Sequence, residues 1–205
     1  MSKTFAGTDM ATEYISSEAD IEPVGGEDNW SEPVYFFDDM LDLLSYYNEQ
    51  KNIVTYAFTY FYAPEAKEAQ LQVGSQEDMI IYLNGEKVYS FSGMRGLSIG
   101  GSKETINIKQ GENRLLVKTL NTLGEYSFSL NITDFESAEQ YSGNRVSGLV
   151  FYTTKGGFTG VDPIKSDPKL LLRNYPNPVS YSTQIEFELP ASAKTLVPLL
   201  FSVPS

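Results

Sequence analysis

The chain has 205 residues, 41% of them hydrophobic, with no cysteine, no histidine and a formal net charge of −12. Disulfides, thiol nucleophiles, zinc centres built on Cys or His, and Ser-His-Asp triads are therefore excluded. Residues 1–50 hold 12 acids against one Lys, a net of −11, while residues 51–205 hold 15 acids against 14 bases, a net of −1. No basic face is left to neutralise phosphates, which disfavours nucleic-acid and anionic-membrane partners, and the acidic N-terminal part reads as a solvated face. No run approaches the ~18–20 apolar residues of a membrane-spanning helix, so no membrane insertion is expected. The start, "MSKTFAGTDMATEY", lacks the apolar h-region of a signal peptide, so an exported form would have lost its signal.

In chain order, residues 1–13 are polar and unpatterned, and a frayed tail is expected there. "FDDMLDLLSYYNEQ" follows, with Phe37, Met40, Leu41 and Leu44 at i, i+3, i+4 and i+7. That spacing predicts one short helix, with Asp38 and Asp39 in its first turn. From Ile53 the period becomes two. "IVTYAFTYFY" puts Val54, Tyr56, Phe58, Tyr60 and Tyr62 on one face and Ile53, Ala57 and Phe61 on the other. Apolar residues on both faces predict a central strand covered on both sides.

"EAQLQVG" alternates with Ala69, Leu71 and Val73 inward. "DMIIYLNGEKVYSF" predicts a hairpin, because Asn84-Gly85 is the pair a type I′ turn prefers. A Gly-rich loop, "SGMRGLSIGGSK", leads to the strands "ETINIK" and "RLLVKTL". "YSFSLNIT" then predicts a strand with Tyr126, Phe128, Leu130 and Ile132 in and Ser127, Ser129 and Asn131 out. Residues 136–167 read as an irregular segment and linker, with 146–152 as one last strand. The fold class expected is all-β: an antiparallel jelly-roll β-sandwich with one short helix near the N-terminus.

Few motifs carry chemistry. The Gly-rich loop runs into a strand rather than a helix, so its glycines serve loop geometry and not a phosphate cradle. Glu77-Asp78 and the Asp38, Asp39, Asp42 group are the only candidates for acid–base work, and neither has a distinctive spacing. "NIT" at Asn131 matches a glycosylation sequon but lies inside a predicted strand. No cofactor is expected; calcium, bound through oxygen alone, is the metal such a composition suits, as a structural ion without a nameable site. Aromatic rings that stack on sugars, with neighbouring polar groups, remain as ligand candidates: Trp30, Tyr82, Asn84, Tyr89 and Arg95.

Two stretches resemble known families. From about Tyr14 to Phe135, "YAFTYFYAP" (Tyr56–Pro64), "YLNG" (Tyr82–Gly85) and "GENRLLVK" (Gly111–Lys118) make the chain similar to galactose-binding-like jelly-roll modules of secreted bacterial proteins. Two positions depart: "SQED" (Ser75–Asp78) replaces the usual S-D-D-G, and Tyr82 stands where Trp is common. The resemblance implies a non-catalytic accessory module for residues 14–135, one that binds carbohydrate or serves as a spacer. Second, "LLRNYPNPVSYSTQIEFELP" resembles the start of the C-terminal sorting domain of Bacteroidetes-type type IX secretion cargo. Its N-Y-P-N-P core is Asn174, Tyr175, Pro176, Asn177 and Pro178.

That second resemblance implies a small β-sandwich over 168–205, present only in part. After Lys194 the alternating pattern gives way to "TLVPLLFSVPS", as a shifted reading frame or a gene fragment would produce. It further implies the secretion machinery as a partner and a secreted or cell-surface location. The function expected is a non-catalytic accessory module whose partner is carbohydrate or a cell-surface polymer. The alternative is a structural or adhesive spacer, and a carboxylate-dependent hydrolase is a distant third.

Overall fold

A computed structural model describes residues 1–34, 40–47, 51–124, 126–135 and 146–158, together with the backbone of 172–175 and 184–187. It divides into two units, residues 1–159 and 160–205. The first unit contains strands β1 (Ser2–Ala6), β2 (Leu41–Asp42), β3 (Ile53–Ala63), β4 (Lys67–Ser75), β5 (Met79–Leu83) and β6 (Glu86–Phe91). It continues with β7 (Ser102–Ile108), β8 (Gly111–Asn121), β9 (Ser127–Thr133) and β10 (Val150–Tyr152), and has a one-turn helix, α1 (Leu43–Tyr47). One sheet runs β1-β3-β8-β5-β6, with β10 also paired to β3; the other runs β2-β9-β4-β7. Every pairing is antiparallel. From β3 to β10 the chain changes sheet at each step except the β5–β6 hairpin, the winding of a jelly roll.

The alternating patterns explain the packing. Ala69, Leu71 and Val73 of β4, Met79 and Ile81 of β5, and Phe61 of β3 are sealed between the sheets. The opposite face of β3 is equally apolar, and Val54, Tyr56, Phe58 and Tyr60 form a second core with Leu116 and Leu120 of β8. What covers that second core is the N-terminal segment expected to fray. β1 pairs with Ile53–Ala57, while Phe5, Met10, Tyr14, Ile15 and Ile21 pack onto the outer face of the first sheet. Asn84 and Gly85 both have positive φ, 54° and 89°, as the hairpin turn requires.

The predicted helix is shorter and shifted. Leu41 and Asp42 pair instead with Phe128 and Ser127 of β9, and α1 begins only at Leu43. The Asp42 carboxylate causes this. It accepts hydrogen bonds from the amides of Leu44 (3.0 Å) and Ser45 (3.3 Å) and from the Ser45 hydroxyl, so the helix is capped there. Leu43, off the expected stripe, is the residue the turn buries. Phe37, Asp38 and Asp39 lie outside the described residues. Ser129, expected to face solvent, is also buried. The Gly-rich loop lies over it, and a Cβ on Gly74 would stand 2.3 Å from the Ser98 carbonyl and 2.7 Å from Ser129 Oγ.

A buried ion pair fastens the N-terminal layer. Lys118 is 0% exposed and Glu18 4% exposed, and Lys118 Nζ lies 2.8 Å from Glu18 Oε2. The ammonium also donates to the carbonyls of Met10 (3.0 Å) and Thr12 (2.8 Å). Tyr56 and Tyr82 donate their hydroxyls to the two carboxylate oxygens of Glu18. Both charges are thus bonded on all sides, as burial of a charge demands. The rest of "GENRLLVK" has matching duties. Asn113 pins the β7–β8 turn through Lys109 and Gly111, Arg114 reaches Asp20 and Glu22, and Leu115 and Val117 enter the inter-sheet core.

In the second unit, β11 (Leu172–Tyr175) and β12 (Gln184–Phe187) pair antiparallel, with Leu172 opposite Phe187 and Tyr175 opposite Gln184. Asn174 and Tyr175 of the N-Y-P-N-P core fall in β11. Pro176, Asn177 and Pro178 lie outside the described residues.

Two outcomes follow from the buried pair. Lys118→Ala or Glu18→Ala should each cost about 3–5 kcal/mol in urea unfolding, since each strands a buried charge. The double substitution should cost clearly less than the sum; strict additivity would show that the two groups do not act together. Burial, reinforced by the Glu18 carboxylate, also raises the Tyr56 and Tyr82 hydroxyl pKa values, and burial pushes Tyr60 up to about 12. Above the ordinary tyrosine value of about 10, the unfolded chain releases protons that the folded chain keeps. Stability is therefore complete below pH ~10 and should fall between pH ~10 and 12. A urea midpoint unchanged between pH 9 and 11 would contradict this.

Candidate functional site

The five residues nominated from sequence do not converge, and all are engaged within the fold. Trp30 is 7% exposed and meets the Phe58 ring edge-on at 6.5 Å, so neither of its faces is open to a sugar. Tyr82 is half-buried and its hydroxyl is committed to Glu18. Asn84 donates to Asn113 Oδ1 (2.9 Å) and accepts from the Arg114 amide (3.0 Å), which locks the hairpin turn to β8. Tyr89 is buried and bonds Ser102 and Arg95. Arg95 is the hub of the Gly-rich loop. It donates to the Ser75 carbonyl and hydroxyl, the Ser102 hydroxyl and the Tyr89 hydroxyl, and its guanidinium lies 3.8 Å from the Phe91 ring centroid. All five side chains serve the scaffold, and none of them lines the cleft described below.

The carboxylates are similarly occupied. Buried Glu77 accepts from the Thr122 amide and hydroxyl (2.7 and 2.6 Å) and the Leu123 amide (3.0 Å), capping the β8–β9 turn. Asp78 accepts from the Ser92 hydroxyl, and Asp42 caps α1. Hydrogen bonds from Ser45 hold the Asp42 carboxyl below the usual carboxylate range. Among the described residues no three Asp or Glu come together where they could hold a metal ion.

A cleft remains that the sequence reading did not anticipate. It opens where β1 and β10 leave a gap beside β3, next to β2, α1 and β9, and has a volume of about 540 Å³. Its buried walls are Leu43, Leu115, Val117, Phe128 and Ile132. At its mouth Val34, Tyr46 and Phe151 are 39%, 38% and 52% exposed. The two rings are braced, Tyr46 edge-on to Tyr47 at 4.8 Å and Phe151 against Phe61 at 5.4 Å. Within this apolar surround, the Asn131 amide, the Thr153 hydroxyl and the Tyr46 hydroxyl make no hydrogen bond among the described residues. Among the described residues the lining carries no charged side chain. Apolar walls, braced ring faces and a few uncommitted polar groups are the features of a small-ligand site, and the volume lies in the usual range. Its members come from positions near 2, 46, 131 and 151, so no local pattern could have announced it.

Arg95→Ala should lower stability by about 2–3 kcal/mol in urea unfolding, because it removes the half-buried, hydrogen-bonded guanidinium that anchors the loop. Arg95→Lys should recover less than half of the loss, since an ammonium cannot reproduce the planar fork. Full recovery by Lys would show that only the charge matters.

No family model matches this chain, and no curated protein matches it. Among solved structures, it is similar to the PA14 domain of the MpAFP antifreeze protein, with a TM-score of 0.37 and 16% identity over 42% of this chain and 46% of that one. It is also similar to the selenomethionine-labelled β-glucosidase from Kluyveromyces marxianus, with a TM-score of 0.44 and 12% identity over 66% of this chain and 16% of that one. The same glucosidase in complex with glucose gives a TM-score of 0.39 at 10% identity, with the same coverage. The chain thus spans less than half the length of each of these proteins.

Proposed function

We propose that this chain is a non-catalytic accessory module of a secreted or cell-surface protein, and that it holds carbohydrate in the cleft between β1, β10 and β9. The observation that carries the reading is the juxtaposition of the exposed Tyr46 and Phe151 rings with the uncommitted Asn131 and Thr153 side chains. A sugar offers an apolar C–H face to an aromatic ring and hydroxyls to amides and hydroxyls, which is what those four residues can receive. The non-catalytic part rests on the carboxylates. Glu77, Asp78 and Asp42 are all occupied in turns and caps, and no acid stands in the described lining. Export rests on the sorting-domain resemblance centred on Asn174–Pro178.

The second reading, a spacer without a small ligand, draws on the commitment of Trp30, Tyr82, Asn84, Tyr89 and Arg95 to the scaffold. A glycan panel separates the two. Binding to at least one glycan should weaken roughly tenfold in Phe151→Ala or Tyr46→Ala, the order expected for removing a stacking ring. The same binding should survive Tyr82→Phe. No binding across the panel would support the spacer.

A further inference from the structure

We propose, resting on the carbohydrate reading above, that the cleft selects neutral sugars that present a methyl group, either a 6-deoxy methyl in place of a hydroxymethyl or an N-acetyl group in place of a hydroxyl. The walls decide this. Leu43, Leu115, Val117, Phe128 and Ile132 form an apolar interior, and Leu130 and Leu149 continue it, half-buried, at the edge. A hexose carries hydroxyls around its whole edge, whereas among the described side chains of the lining those of Tyr46, Asn131 and Thr153 are the uncommitted polar ones. The other hydroxyls of the lining are engaged. Thr59 donates to the carbonyls of Tyr60 and Tyr152, and Ser2 bonds Ser31 and Tyr47.

A sugar hydroxyl pressed onto the apolar walls loses its water without a replacement, which is unfavourable. A 6-deoxy methyl removes the hydroxyl and its penalty, and an N-acetyl group adds a buried methyl; each is worth roughly fourfold in affinity. Charged sugars are disfavoured more strongly. The described lining holds no Lys or Arg, its Met1 ammonium already donates to the Phe58 carbonyl (3.2 Å), and a charge without a partner is costly to desolvate. The acid excess of residues 1–50 repels anions further.

Titration calorimetry of the full chain with matched pairs tests this: L-fucose against L-galactose, N-acetylglucosamine against glucose, and glucuronate against glucose. The methyl-bearing member of each neutral pair should bind roughly fourfold tighter, and glucuronate should show no measurable binding. Leu149→Thr and Leu130→Thr, both at half-buried positions, should bring the preference toward unity while the parent sugars still bind. Equal or tighter binding of the parent hexoses overturns the inference, as does a preference that persists in both variants or measurable binding of glucuronate. If none of these sugars binds, the carbohydrate reading itself fails, and the inference with it.

Discussion

The N-terminal cover of the first unit depends on one buried ion pair, Lys118 with Glu18. β8 brings Lys118 to the outer face of the first sheet, where an uncompensated ammonium could not stay. Glu18, two backbone carbonyls and the ring faces of Tyr14 and Tyr56 make that position tenable. In return the N-terminal segment is fixed across Val54, Tyr56, Phe58 and Leu116, apolar surface that water would otherwise meet. The first unit is accordingly three layers: a four-stranded sheet, a larger sheet, and an irregular N-terminal cover. The segments "YAFTYFYAP" and "GENRLLVK" act together in this arrangement, since Tyr56 of one and Lys118 of the other bond the same carboxylate.

This construction also explains why so many polar residues that invite a functional reading are engaged in the scaffold. Asn84, Asn113 and Arg114 join the β5–β6 turn to the β7–β8 turn, Glu77 caps the β8–β9 turn, and Arg95 ties the Gly-rich loop to β4, β6 and β7. A β-sandwich must close its loops against buried backbone, and polar side chains do that work. Among the described residues, uncommitted polar side chains and exposed rings meet in the cleft where β1 and β10 leave β3 partly uncovered.

The strands were legible in the sequence because their alternation is local. Val54 to Tyr62, Ala69 to Val73 and the Asn84-Gly85 turn each state their geometry within a few residues. The helix was misread because the stripe from Phe37 to Leu44 ignores Asp42, whose carboxylate sets the start of α1. The N-terminal cover was missed for a different reason. Phe5, Met10, Tyr14, Ile15, Ile21 and Trp30 follow the path of an irregular chain, so no period relates them. Glu18 looked like part of a solvated acidic face because its partner is 100 residues away. The cleft is the extreme case, assembled from separate edges of both sheets.

The most direct test of the account is an amide-resolved NMR titration of the chain with a neutral sugar, N-acetylglucosamine for example. Shifts are expected at Tyr46, Asn131 and the stretch Phe151–Thr153, with the β5–β6 hairpin unmoved. Shifts centred on Tyr82 to Tyr89, or none at saturating sugar, would contradict it.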